Sequence, residues 1–229
     1  MSLTLTARLA RWGAALMVAG LMAGCSALSA VQNATTTLEV YELRAAAGGP
    51  VARGAPRPVA LIVELPTTSG ALDTDRIMIR PGPLQAQYLP DVRWSETAPV
   101  MVQRLMLRSI EDTQGFRYVG RRPIGPGGDY ALISELTDFQ AEALAPGGAV
   151  VTLRLTARLV REEDVEIVAS RTFTATAAVA STGTPALVDG FDRASRLLMN
   201  EIAEWTLDAL DVGFARTSVA GDAELAREI

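Results

Sequence analysis

Cys25 is the only thiol in this chain of 229 residues, and it stands directly after a short apolar run. A single cysteine closes no internal disulfide and supplies one metal ligand at most. What remains to it is nucleophilic chemistry, a thiolate that can take up a carbon and become a thioether. The chain holds no histidine. Ser-His-Asp and Cys-His catalysis are therefore excluded, as are zinc sites that use histidine. Carboxylates are the remaining reactive groups. Asp73 and Asp75, next to Arg76 in the run DTDR, form one cluster, and Glu162, Glu163 and Asp164 form another. A calcium loop needs about six to eight oxygen ligands at set spacing. Neither cluster meets that, so both read as solvated turns, and no metal, cofactor or catalytic residue is expected.

The residues before Cys25 say what its sulfur is for. Arg8 and Arg11 precede an uncharged run at 14–23, with no acid among them. That run is far short of the ~20 residues that span a bilayer. A basic start, a short apolar core and small residues before a break make a secretory signal. Met22-Ala23-Gly24-Cys25, with Leu21 before it, resembles a bacterial lipobox in which Met22 replaces the commoner leucine. The resemblance implies cleavage before Cys25, a diacylglycerol thioether on its sulfur, and acylation of the new amine. The alternative is an ordinary signal peptide cut near Ala27 or Ala30. Each buried CH₂ is worth ~0.8 kcal/mol, and two or more chains hold firmly where one does not. Ser26 takes the place of the aspartate that retains such proteins in the inner membrane, which points to the periplasmic face of the outer membrane.

Loss of residues 1–24 removes two arginines and no acid, leaving 19 arginines against 26 acidic residues and a net charge of −7. An acidic chain argues against a nucleic-acid partner. All of the basic residues are arginine, which fits a GC-rich coding sequence better than a site.

Past a small, polar tether at 25–37, hydrophobic periodicity sets out one domain at 38–210. Strands are expected at 38–44, 59–65, 76–80, 84–89, 116–120, 130–140, 150–160 and 166–179. The segment VALIVEL at 59–65 is a continuous apolar run, as in a strand buried on both faces. The strand at 150–160 alternates cleanly, with Val151, Leu153, Leu155, Ala157 and Leu159 against Thr152, Arg154, Thr156 and Arg158. The strands at 76–80 and 84–89, and those at 150–160 and 166–179, pair as hairpins.

A first helix is expected from Ser95–Thr97, with Pro99 in its first turn, to about Thr113, closed by Gly115. Arg104, Arg108 and Glu111 fall on its wet side. A second starts near Thr184-Pro185, with an apolar stripe of Phe191, Ala194, Leu198, Ile202, Trp205 and Ala209. Strands, helix, strands, helix make an α+β fold: a mostly antiparallel sheet with two main helices packed on one face. Residues 211–229 are weakly patterned and read as a mobile tail.

Between a strand and the first helix stand Tyr88, Arg93 and Trp94. Either Trp94 plugs the edge of the domain while Arg93 bonds a nearby carbonyl, or the three form a partner-binding patch, since Trp, Tyr and Arg dominate interface hot spots. Arg121 and Arg122 read as exposed loop charges, with contact to anionic headgroups as the other reading.

The lipobox, then VYEL, VALIVELP, the run from LDTDRI through QAQYLPDVRW, DYALISELTDF and a helix ending EIAEW together resemble the ABC-type transport auxiliary lipoprotein family. Its members are periplasmic lipoproteins associated with mammalian-cell-entry (MCE) transport systems and include the lipoprotein of the paraquat-inducible operon. The resemblance covers roughly residues 38–207 and is most specific from Leu72 to Trp94. It implies an auxiliary, non-enzymatic subunit that docks an MCE protein at the outer-membrane side of an ABC lipid-transport system. It leaves open a homo-oligomer matched to a ring-shaped partner. Two other readings compete: a stand-alone module that holds a lipid in a cleft between helices and sheet, and a carboxylate-based hydrolase, which would need two acids converging in a pocket.

The anchor is tested directly. Cys25→Ser is expected to abolish labelling with palmitate and to release the protein from membranes or leave it uncleaved; a variant that still labels and sediments refutes the lipobox.

Overall fold

The computed structural model describes residues 38–45, 48–125 and 127–216; Cys25, the signal segment and the tether lie outside them. From Val40 onward the described residues form one compact unit. The order of elements is β1 (Glu39–Tyr41), β2 (Val51–Ala52), β3 (Arg57–Val63), β4 (Thr67–Thr68), β5 (Arg76–Gly82), β6 (Gln85–Trp94), α1 (Ala98–Glu111), β7 (Phe116–Gly120), β8 (Tyr130–Ala143), β9 (Ala149–Arg161), β10 (Glu166–Val179), α2 (Thr184–Ala209) and β11 (Phe214–Ala215).

The alternation at 150–160 becomes the most regular strand of the molecule. Ala149, Val151, Leu153, Leu155, Ala157 and Leu159 are all fully buried, while Arg154 is exposed and Thr152, Thr156 and Arg158 are partly so. β9 pairs antiparallel with β8 on one side and β10 on the other. In β8 the apolar phase changes partway along, from Leu132-x-Ser134-x-Leu136 to Phe139-x-Ala141. The backbone absorbs the change with a bulge between Leu136 and Asp138. One extra residue lets both halves of the strand keep their apolar side chains on the same face.

The sheet has nine strands and is mixed. The hairpin β5–β6 and the meander β8–β9–β10 are antiparallel, as expected. However, β3 runs parallel to both β7 and β8, and β4 and β5 run parallel to β8. β8 is the hub. Its β9 edge is paired from end to end, and its other edge is shared by β3 at Tyr130–Leu132, β4 at Glu135–Leu136 and β5 at Ala141–Glu142. β3 has a strand on each edge, and its consecutive residues Leu61, Ile62 and Val63, which point to alternate faces, are all buried, which accounts for the continuous apolar run. β2 and β11 form a separate two-stranded sheet. Residues 211–216, expected to begin the tail, are therefore tied down: Val212 is buried and Arg216 pairs with Glu204 at 2.8 Å. Residues 217–229 lie outside the described residues.

Both helices cover the same apolar face of the sheet and join a single core. In α1, Met101, Val102, Leu105, Met106 and Ile110 point inward as the period predicts. Gln103 is also buried, and its Nε2 donates to the Val63 carbonyl at 2.9 Å, linking helix to strand. Gly115 does not end α1 by its backbone angle; the left-handed position is Gln114, at φ 55°. Gly115 is required by space, because a Cβ there would sit 2.5 Å from Leu207 Cδ2 on α2. α2 starts one residue earlier than read, with Gly183 as its N-cap. Its inward stripe holds Phe191, Ala194, Leu198 and Ile202, while Trp205 is only partly buried and stacks edge-on against Phe173 at 5.5 Å.

The opposite face of β8, β9 and β10 is polar. Thr172, Thr174 and Thr176 of β10 lie beside Thr156, Arg154 and Thr152 of β9 in register. The Thr156 and Thr172 hydroxyls share a hydrogen bond of 2.9 Å, and Arg154 pairs with Asp138 at 3.3 Å.

α2 comes close to the sheet at Gly190, where a Cβ would meet Val179 Cγ1 at 2.7 Å and Val151 Cγ2 at 2.9 Å. Gly190→Val is expected to destabilise the domain by ~1–3 kcal/mol through overpacking, read as a lower urea midpoint with an unchanged slope; an unchanged midpoint would mean that α2 does not rest on β9 and β10.

Candidate functional site

The family-like run LDTDRI…RW occupies one corner of the fold, where β6 hands over to α1. Between Met78↔Tyr88 and Arg76↔Arg93, two strand steps of β5 face five of β6. The surplus is a bulge around Pro90 and Asp91, with Asp91 in the left-handed region at φ 58°. Such a bulge bends the strand and re-aims the side chains that follow it, which here are Arg93 and Trp94.

The turn 72–75 clamps this corner. The Asp75 carbonyl accepts the Trp94 N–H at 2.7 Å, and the Thr74 carbonyl accepts the N–H of Ala98, the first residue of α1, at 3.0 Å. The Thr74 hydroxyl accepts the Arg76 N–H at 3.2 Å. Thus part of the unpaired donor set at the start of α1 is met by the turn, although Thr97 makes no side-chain cap. Asp75 pairs with Arg93 at 3.7 Å. The DTDR run is a structural clasp, and among the described residues no group of three or more His, Cys, Asp or Glu could hold a metal ion.

Tyr88, Arg93 and Trp94 do not form one surface patch. Trp94 is 1% exposed and packs edge-on against Phe191 at 5.2 Å and Phe139 at 6.0 Å. The ring is core, and its indole N–H has no partner among the described residues. Arg93 is about half exposed and engages the Asp75 carboxylate, not a carbonyl. Tyr88 is partly buried; its hydroxyl donates to the Ala71 carbonyl at 2.9 Å, and the Arg76 guanidinium lies 4.9 Å from its ring centre. Arg104, read as solvent-facing, is a hub: it meets Glu96 at 2.9 Å, Glu42 at 3.3 Å and the Leu43 carbonyl at 3.2 Å. Helical period could not show this, because Glu42 and Leu43 arrive from the strand at the start of the domain.

The second acid cluster also holds structure together. Asp164 and Glu166 grip Arg161 at 2.9 and 2.8 Å, and with the Tyr130 hydroxyl they raise that guanidinium further above its ordinary pKa. Glu162 accepts the Gly128 N–H at 2.8 Å, and Asp129 accepts the Ala60 N–H at 2.6 Å. Asp129, Arg161 and Glu162, each engaged in these bonds, line an open cleft of about 670 Å³ together with Glu163. Arg121 and Arg122 are exposed, and the Arg122 carbonyl accepts the Tyr118 hydroxyl.

A sequence model of the family described as ABC-type transport auxiliary lipoprotein component matches residues 41–203. Among solved structures, protein XCC0632 from Xanthomonas campestris, of family DUF330, is 28% identical, with a TM-score of 0.63 over 75% of this chain and 96% of its own. A second, uncharacterised protein shares the fold at 16% identity and a TM-score of 0.57, over 74% of this chain and 99% of its own. No curated protein matches the sequence.

Trp94→Ala is expected to cost ~3–5 kcal/mol, whereas Trp94→Phe, which keeps a ring and removes the unpartnered N–H, should cost about 1 kcal/mol or less. Chemical denaturation of the two variants checks this; equal losses would show that the indole N–H has a partner.

Proposed function

The chain belongs to the ABC-type transport auxiliary lipoprotein family, and on that premise we propose that it is the outer-membrane-anchored docking subunit of an MCE/ABC lipid-transport system. The observation that carries the reading is the family match over residues 41–203, with Cys25 and its lipobox just ahead. Among the described residues no helix is long and apolar enough to cross a membrane, so attachment falls to the lipid on Cys25. Residues 25–37 reach at most about 45 Å when fully extended, which keeps the domain close to the periplasmic face. No catalytic step is assigned; the work is contact.

The docking surface we assign is the bulged corner of β6. Pro90, Asp91 and Arg93 are exposed there, on a backbone braced by the 72–75 turn and by Trp94 beneath. Tyr88 stands beside them with its ring covered by Arg76. A rigid rim carrying an arginine offers an interface anchor at low entropy cost.

Arg93 can be removed without harming the fold, since a partly exposed ion pair is worth ~1 kcal/mol at most. Arg93→Ala is expected to weaken co-purification with the cognate MCE protein at least tenfold, about 1.4 kcal/mol, while thermal stability stays close to wild type. Unchanged binding by the folded variant would move the docking surface elsewhere, and failure of the wild-type protein to bind any MCE protein would overturn the docking role.

A further inference from the structure

The opposite end of the β5–β6 hairpin, away from Arg93, holds a second feature. On the polar face of the sheet, the end of β5 and the end of β8 line a cleft of about 470 Å³. That is within the usual size range of small-molecule sites. Arg80, Asp138, Gln140 and Glu142 form its polar wall, and Pro81, Pro83, Ala143 and Leu144 its apolar lip. Leu144 is 51% exposed, and Leu84, at the tip of the hairpin next to Pro83, is fully exposed.

The charges in this cleft are not balanced in the ordinary way. Arg80 and Glu142 are direct neighbours in the parallel register of β5 and β8, yet they make no ion pair with each other. Arg80 makes no ion pair at all among the described residues, and its Nε is buried without an acceptor. Leaving such a buried donor unmet is costly, and a native orphan calls for an explanation. Glu142 receives only the Gln140 amide, at 3.5 Å. Asp138, by contrast, is satisfied by Arg154 and by the same Gln140 amide at 2.8 Å. The cleft thus offers a guanidinium without an ion pair and, beside it, a carboxylate whose one partner is the Gln140 amide, with an apolar edge.

We propose that this cleft binds an amphiphilic zwitterion: an oxyanion takes the Arg80 fork, an ammonium takes Glu142, and an apolar tail lies along Pro81, Pro83 and Leu144. A planar fork suits the paired oxygens of a carboxylate or phosphate. A simple anion fits less well, because Glu142 would repel it. The shared head chemistry is found both in lipid headgroups and in free amino-phosphates, and the apolar lip favours the tailed form. The site does not depend on the docking role proposed above, and it uses none of the residues at the Arg93 corner.

The test is calorimetric titration of the delipidated full-length mature protein with dodecylphosphoethanolamine, phosphoethanolamine and dodecyl phosphate, the two tailed compounds below their micelle concentrations. Dodecylphosphoethanolamine should bind most tightly. Arg80→Gln should weaken it at least tenfold with a melting temperature within about 2 °C of wild type, because the lost Nε had no partner. Glu142→Gln should erase the preference for the zwitterion over dodecyl phosphate. Tight binding of phosphoethanolamine without its tail would overturn the role of the apolar lip. Unaltered binding by Arg80→Gln, a preference that persists in Glu142→Gln, or no saturable binding of any of the three by the wild-type protein overturns the proposal.

Discussion

The fold depends on how the backbone of β8 is satisfied. This is a 14-residue strand at the centre of the sheet, and a buried backbone group without a partner is costly. One edge is met by the hairpin partner β9. The other is too long for any single neighbour, and β3, β4 and β5 divide it between them. This division makes the sheet fork. One branch continues to β7, and the other through β6 to β1. It also makes the sheet mixed, because the segment from β3 to β5 travels in the same direction as β8.

The fork gives the sheet two differently built ends. At one, the bulged corner of β6 is braced by the 72–75 turn and by the Trp94, Phe139 and Phe191 cluster. At the other, the tips of two hairpins meet, and the divided edge of β8 brings Arg80 beside Glu142. The proposed docking role would need rigid, separately placed surfaces, and a single sheet stiffened on one face by two helices supplies them. The most specific part of the family pattern turns out to be the clasp that makes this corner, not a reactive centre.

Burial explains why the residues that looked most like an interface divided as they did. Trp is enriched in hot spots and in cores for the same reason, its large apolar area. Trp94 went to the core because the bulge turns it inward and two phenylalanines meet it. Arg93 went outward, one position away, as the alternation of a strand requires.

The sequence by itself determined the elements whose partners are local. The α+β class, both main helices, the β9–β10 hairpin and the polar face of the long strands were legible because period 2 and period 3.6 are properties of consecutive residues. The resemblance of residues 21–25 to a lipobox is likewise a linear signal, read from consecutive residues alone. The tertiary structure alone decided what lies between distant segments. The parallel pairing of β3, β4 and β5 with β8 joins residues 61–80 to residues 130–142, and no local pattern carries that register. β2 and β11 are two residues each, too short to leave a period. Gly115 read as the close of the first helix and Gly190 carried no signal of its own, until the fold brought Leu207, Val151 and Val179 against them. Arg80 read as one more strand residue, since an orphaned guanidinium is defined by what fails to reach it, and only the folded chain shows that.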